Sequence, residues 1–138
     1  MPWKRLAAVV VVLAIAAGAV FARWYTSHRI NVPVLMRQAR SAAARGDYST
    51  AKRICHEVLQ SNPKHSDALL LWSQLAVLDG DRESALASLR QIGNSPASIG
   101  ARARYGEGCV LLDLGRAREA EAMLLQALEL QPQALDVE

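Results

Sequence analysis

Residues 46–63 read GDYSTAKRICHEVLQSNP. Gly46 and Asp47 open the stretch and Pro63 closes it. Between them Ile54, Val58 and Leu59 form an apolar stripe at helical spacing. The same punctuation returns twice. Gly80-Asp81 and Gly115-Arg116 follow Gly46-Asp47 at spacings of 34 and 35 residues. Five residues after each glycine stands an alanine: Ala51, Ala85 and Ala120. Four further on are Cys55, Leu89 and Leu124, and three beyond those are Val58, Ile92 and Ala127. Pro63 and Pro132 close the first and third units. The second closes at Pro96, after the turn-forming Gly93-Asn94-Ser95, where its additional residue is absorbed. The stretch is therefore one unit of an array.

Each recurring residue has a physical use. A glycine tolerates the left-handed conformation that stops a helix. An alanine lets two helices cross closely. A proline ends the second helix and begins the link onward. The spacing predicts helices over 5–28, 33–45, 48–61, 66–79, 82–92, 97–114 and 117–130. The short gaps between them require antiparallel neighbours. Composition agrees with an all-α chain. Hydrophobic residues make up 51% of it but aromatics only 5%, and no strand-like alternation runs for any length.

A period of 34 residues with a mid-unit Gly-Asp, an Ala five residues on and a terminal Pro resembles the tetratricopeptide repeat. The closest stretch is GRAREAEAMLLQALELQP, residues 115–132. The resemblance implies a right-handed α-solenoid of about three helix-turn-helix units, spanning 32–132 as units 32–65, 66–100 and 101–134. Residues 133–138 would begin a further helix or form a tail. The first helices depart from the family pattern. Its large aromatic falls on Leu35, Leu69 and Arg104, and its small residue four positions on falls on Ala39, Ser73 and Gly108.

The resemblance also implies a function. Solenoids of this kind hold an extended peptide or a partner's helix in a concave face lined by the first helix of each unit. The matching groove positions are Met36 and Arg40, then Leu70 and Gln74, then Arg102, Tyr105 and Cys109. A family subset clamps C-terminal carboxylates with Lys, Asn and Arg. Here those positions are Met36, Arg40, Leu71, Arg102 and Gly106, so that clamp is not expected. After Pro132 an uncovered apolar face around Leu124 and Leu128 would favour self-association or a docked partner.

The N-terminus carries a different signal. LAAVVVVLAIAAGAVFA, residues 6–22, holds no charge and would extend about 26 Å as a helix. Trp3 precedes it and Trp24-Tyr25 follow, as interfacial anchors require. The expectation for 1–31 is a transmembrane anchor and juxtamembrane segment, with the solenoid on the extracytoplasmic side. The rival is a signal sequence cleaved near Ala19 or Ala22, which would leave a secreted soluble repeat protein.

Charge is segregated. Residues 1–31 and 32–65 each carry +4, residues 66–100 carry −2 and residues 101–138 carry −3, for a net +3. The basic half suits an anionic lipid surface. No basic, aromatic-interleaved face for nucleic acid is evident. Cys55 and Cys109 form no CxxC pair and read as small buried hydrophobes. The three histidines lack metal spacing, and Cys55 and His56 point about 100° apart on a helix. Neither GxxxxGK[ST] nor GxGxxG occurs. No cofactor, metal or catalytic residue is expected. The sequence reads as a membrane-anchored, non-catalytic scaffold in bacterial envelope assembly or secretion. The alternative is the targeting and recruitment segment of a larger enzyme.

Overall fold

A computed structural model describes residues 2–27, 31–94 and 96–131. Among the described residues seven helices follow in order: α1 (Pro2–Ser27), α2 (Val32–Ala44), α3 (Tyr48–Ser61), α4 (Ser66–Leu78), α5 (Arg82–Arg90), α6 (Ala97–Asp113) and α7 (Ala117–Leu130). They form two compact units, Met1–Asn31 and Val32–Glu138.

The three turn glycines explain the hairpins of the second unit. Gly46, Gly80 and Gly115 adopt φ of 79°, 81° and 74°, the left-handed region that costs an L side chain about 1–2 kcal/mol. Each closes the same pair of hydrogen bonds. The Gly46 and Asp47 N–H groups donate to the Ala43 and Ala42 carbonyls. Gly80 and Asp81 repeat this on Val77 and Ala76, and Gly115 and Arg116 on Leu112 and Leu111. This is the Schellman pattern, which satisfies carbonyls that a helix end leaves unpaired. The next helix starts at once. The Asp47 carboxylate accepts from the Thr50 N–H and the Asp81 carboxylate from the Ser84 N–H, both at 3.1 Å. At α7 no side chain caps; Arg116 instead pairs with Glu119 at 2.6 Å.

Ala51, Ala85 and Ala120 are each fully buried. The core forms two clusters. One joins α2 and α3 to Leu71 and Leu75 of α4. The other joins α4, α5 and α6 with Ala120 of α7. Helix α4 packs against both α2 and α6, whereas among the described residues α3, α5 and α7 do not pack backbone to backbone on one another, and α5 reaches α7 only through Arg90 and Glu119 at 3.8 Å. The first helices of the three hairpins therefore line the inner side of the stack.

The second hairpin is irregular. Helix α5 has 9 residues where α3 and α7 have 14. Its early stop is stabilised by Arg104. That guanidinium donates to the Ile92 and Leu89 carbonyls at 2.5 and 3.4 Å and to Glu107 at 2.5 Å. Glu107, 3% exposed, also receives Arg90 at 3.1 Å. The position that is aromatic in the repeat pattern thus carries an arginine because there are helix-terminal carbonyls to satisfy. The loop after α5 lies against α6. A methyl group at Gly100 would meet the Asn94 Cα at 2.6 Å. Gly108 allows an equally close crossing with α7, where a methyl group would stand 2.7 Å from Leu124.

Helix α1 differs from the rest. Val9 to Leu13, Ile15, Val20 and Phe21 are all more than half exposed. Among the described residues, no helix is long and apolar enough to cross a membrane. The expectation of a membrane-spanning helix over 6–22 is corrected to this extent. The side chains described without interruption run from Ala7 to Arg23, about 26 Å of helix against a hydrocarbon core of about 30 Å. Pro132, the closing proline of the third unit, and residues 133–138 lie outside the described residues.

Candidate functional site

The inner side of the stack holds a cleft of about 400 Å³ between α4 and α6. Gln74, Val77 and Leu78 supply one wall, and Tyr105, Cys109 and Asp113 the other. Leu89 of α5 reaches its floor beside Gly106, where a methyl group would meet the Leu89 methyls at 3.4 Å. The cleft is mainly apolar and open to solvent: Leu78 is 61% and Tyr105 62% exposed. Its polar groups are few. Asp113 pairs with Arg82 at 3.3 Å. The neighbouring Cys109 thiol, by hydrogen bonding, raises the Tyr105 phenol above its ordinary range, so the tyrosine stays neutral.

Three of the groove positions expected from sequence meet here: Gln74, Tyr105 and Cys109. Leu70 does not. It is buried in the core among Leu69, Leu86 and Leu89, and this corrects its assignment. Helix α4 is apolar on nearly every side from Ala68 to Leu71, so its pattern does not say which leucine faces inward. Met36 is also a core residue, 4% exposed. Its edge borders a separate recess of about 590 Å³ with Val32, Pro33, Arg37, Arg40 and His65. Arg40 there pairs with Asp67 at 3.1 Å. Arg102 is exposed one turn ahead of Tyr105 and does not line the cleft. The sequence reading missed Val77, Leu78 and Asp113. They continue Gln74 and Cys109 at helical spacing, and extending the stripe by one turn finds them.

Nothing in the cleft assembles a nucleophile with a base. Cys55 and His56 diverge: the thiol is buried and the imidazole exposed. Burial pushes the Cys55 thiol up to about 11, which leaves it protonated and unreactive. Among the described residues no cluster of His, Cys, Asp and Glu is placed to hold a metal.

The repeat fold is shared with known proteins. A family model described as anaphase-promoting complex, cyclosome, subunit 3 matches residues 44–127, from the end of α2 into α7. The chain belongs to the tetratricopeptide repeat family. Among solved structures, this repeat protein resembles an O-GlcNAc transferase mutant of Thermobaculum terrenum. The identity is 31% and the TM-score 0.64, over 73% of this chain and 19% of the transferase. The repeat protein thus spans about a fifth of that enzyme's length. It also resembles MamA of MSR-1, with 16% identity and a TM-score of 0.64, over 91% of this chain and 72% of MamA. At that identity the likeness to MamA is one of fold. No curated protein matches the chain.

Proposed function

We propose that the chain is a non-catalytic scaffold that holds a partner protein in the α4–α6 cleft while α1 attaches it to a lipid bilayer. One observation carries the first part: a mainly apolar cleft on the inner side of the stack, with Leu78 and Tyr105 open to solvent. A cleft of this kind suits a segment with one large apolar anchor, presented as a helix or an extended strand. The attachment to lipid rests on α1. Its run from Ala7 to Ala22 carries no charge, and its valines and leucine are exposed on all sides. Attachment is proposed and not a span: among the described residues no helix is long and apolar enough to cross a membrane. Attachment would confine scaffold and partner to one surface and raise their effective concentration. The proposed location of the solenoid is extracytoplasmic, and the proposed setting is bacterial envelope assembly or secretion.

Photocrosslinking in native membranes tests this reading. A photoreactive residue at Tyr105 is expected to capture one protein, and capture is expected to fail when Leu78→Glu is added. A control at Arg118, exposed on α7, is expected to capture nothing. Equal capture at Arg118, or capture indifferent to Leu78→Glu, overturns the cleft as the binding site. Flotation of the full chain with liposomes tests the attachment separately.

A second reading has one observation in its favour. The transferase that this chain resembles is an enzyme much longer than the matched part. The chain would then be the recruitment segment of a larger enzyme. An open reading frame continuing past Glu138 into a further domain supports that reading, and a stop codon there rejects it.

A further inference from the structure

Repeat equivalence identifies what the first helix of each hairpin presents to the hairpin before it. In α4, the positions nine, eight and five residues ahead of the turn glycine are Leu71, Trp72 and Leu75, and all three pack into the cluster shared with α2 and α3. In α6 the same positions are Gly106, Glu107 and Val110. Gly106 abuts Leu89, Glu107 receives Arg90, and Val110 joins the second cluster. In α2 they are Arg37, Gln38 and Ser41, all exposed. The end face of the first hairpin has replaced the apolar junction residues, so it is not built to receive another repeat by apolar packing.

That face is instead a shallow basic recess of about 420 Å³. Arg37, Gln38 and Ser41 of α2 and Arg45 of the turn after it border it with Thr50 and Arg53 of α3, and no acidic residue lines it. Arg45 donates to the Ser41 hydroxyl at 2.6 Å and also acts on the nearby Asp47 carboxylate. The Arg53 guanidinium stands 3.8 Å from Glu57 and is 69% exposed. Three guanidinium groups therefore face outward from one end of the stack.

We infer that this end face docks on an anionic lipid surface. The inference rests on the reading that α1 attaches the chain to a bilayer. Two observations favour lipid as the occupant. The recess is lined by three arginines and no acidic residue, with Glu57 paired to Arg53 at its edge, whereas acidic residues predominate beyond residue 65. Only residues 28–31 separate α1 from α2 in the chain, so any surface that holds α1 is within covalent reach of the first hairpin. With Arg53 partly offset by Glu57, the arginines near an anionic leaflet favour the docked state by on the order of tenfold. The contact weakens as salt screens it.

The test uses the full chain with vesicles of phosphatidylcholine alone or mixed with phosphatidylglycerol. A fluorophore is placed at Gln38→Cys in a Cys109→Ala background, with Cys55 left buried. A nitroxide on the lipid headgroup serves as quencher. Flotation with both vesicle types is expected, with quenching only on phosphatidylglycerol vesicles. High salt and the triple variant Arg37→Gln/Arg45→Gln/Arg53→Gln are each expected to abolish quenching, and single Arg37→Gln to reduce it. These arginines are exposed, and unchanged far-ultraviolet dichroism of the triple variant confirms that the solenoid persists. Quenching that is equal on neutral vesicles, or that survives the triple variant, overturns the inference. So does flotation without quenching, which leaves the attachment reading intact. Failure to float with either vesicle type removes both. Salt-sensitive self-association that needs the same arginines, without quenching by lipid, assigns the face to a second copy and overturns docking on lipid.

Discussion

Gly100, Gly106 and Gly108 lie on one helix, α6, and replacing each by alanine separates opposing effects. Alanine gains about 1 kcal/mol over glycine in a helix interior. At Gly106 the new methyl group meets the Leu89 methyls at 3.4 Å, ordinary van der Waals contact. Most of the gain survives, and Gly106→Ala is expected to stabilise by about 0.5–1 kcal/mol. At Gly108 the methyl group stands 2.7 Å from the Leu124 Cγ and Cδ2 and 3.3 Å from the Ala120 carbonyl oxygen. Leu124 is half-buried and can turn aside, but the carbonyl belongs to the backbone of α7. Overpacking costs about 1–3 kcal/mol, so Gly108→Ala is expected to lose about 0–2 kcal/mol net. At Gly100 the obstruction is backbone alone: the Asn94 Cα at 2.6 Å and its carbonyl carbon and oxygen at 2.9 Å. Gly100 also sits in the first turn of α6, where propensity counts for less. Gly100→Ala is expected to cost about 2–3 kcal/mol. For a domain near this size 1 kcal/mol shifts Tm by about 4–8 °C, so the series is expected to spread over 10 °C or more. Thermal and urea unfolding of the full chain in mild detergent, followed by circular dichroism, measures it. If Gly108→Ala equals or exceeds Gly106→Ala in stability, the close crossing of α6 and α7 is refuted. If Gly100→Ala leaves stability unchanged, the seating of residue 94 on α6 is refuted.

Arg104→Ala leaves the Glu107 carboxylate with Arg90 alone and the Ile92 carbonyl without its donor; a loss of about 3–5 kcal/mol is expected in urea unfolding, and a loss under 1 kcal/mol contradicts the arrangement. Cys55 and Cys109 should separate by reactivity. In the folded chain a thiol reagent is expected to modify half-buried Cys109, while Cys55, fully buried and pushed up to about 11, reacts only in denaturant. Hydrogen bonds from Thr50 hold the Asp47 carboxyl below its usual 3.8. Its contribution is therefore complete above that value and lost as pH falls through the lower folded value. The urea midpoint should drop over that acid range, and Asp47→Asn, which keeps the accepting oxygen, should drop less.

The positions of the helices were legible in the sequence because the turn signals are local. Gly46, Gly80 and Gly115 each stop a helix by backbone conformation alone, and Ala51, Ala85 and Ala120 mark the crossings whatever surrounds them. The observed helices differ from the expected bounds by a few residues at most. The cleft was legible only in part. Gln74, Tyr105 and Cys109 follow from register, but Leu70 shares α4 with five other buried apolar residues, and its direction depends on how neighbouring hairpins pack. The role of Arg104 was not legible. It depends on α5 ending early, which places the Ile92 carbonyl within reach of a residue twelve positions on. No local pattern announces that meeting.

The hairpin junctions share positions but not chemistry. Ten residues past the turn glycine, His56 faces Trp72 with ring centroids 6.4 Å apart, whereas Arg90 meets Glu107 as an ion pair. Hairpins of one period invite recombination, because excising or duplicating one leaves the reading frame and the turns intact. Here such an event would not be silent. Excising the second hairpin would set His56 in place of Arg90 opposite Glu107. It would also strip Arg104 of the carbonyls of α5. The register is common to the glycines and alanines, but the junction contacts tie each hairpin to its own neighbours, so a change in the number of repeats would carry a cost in folding.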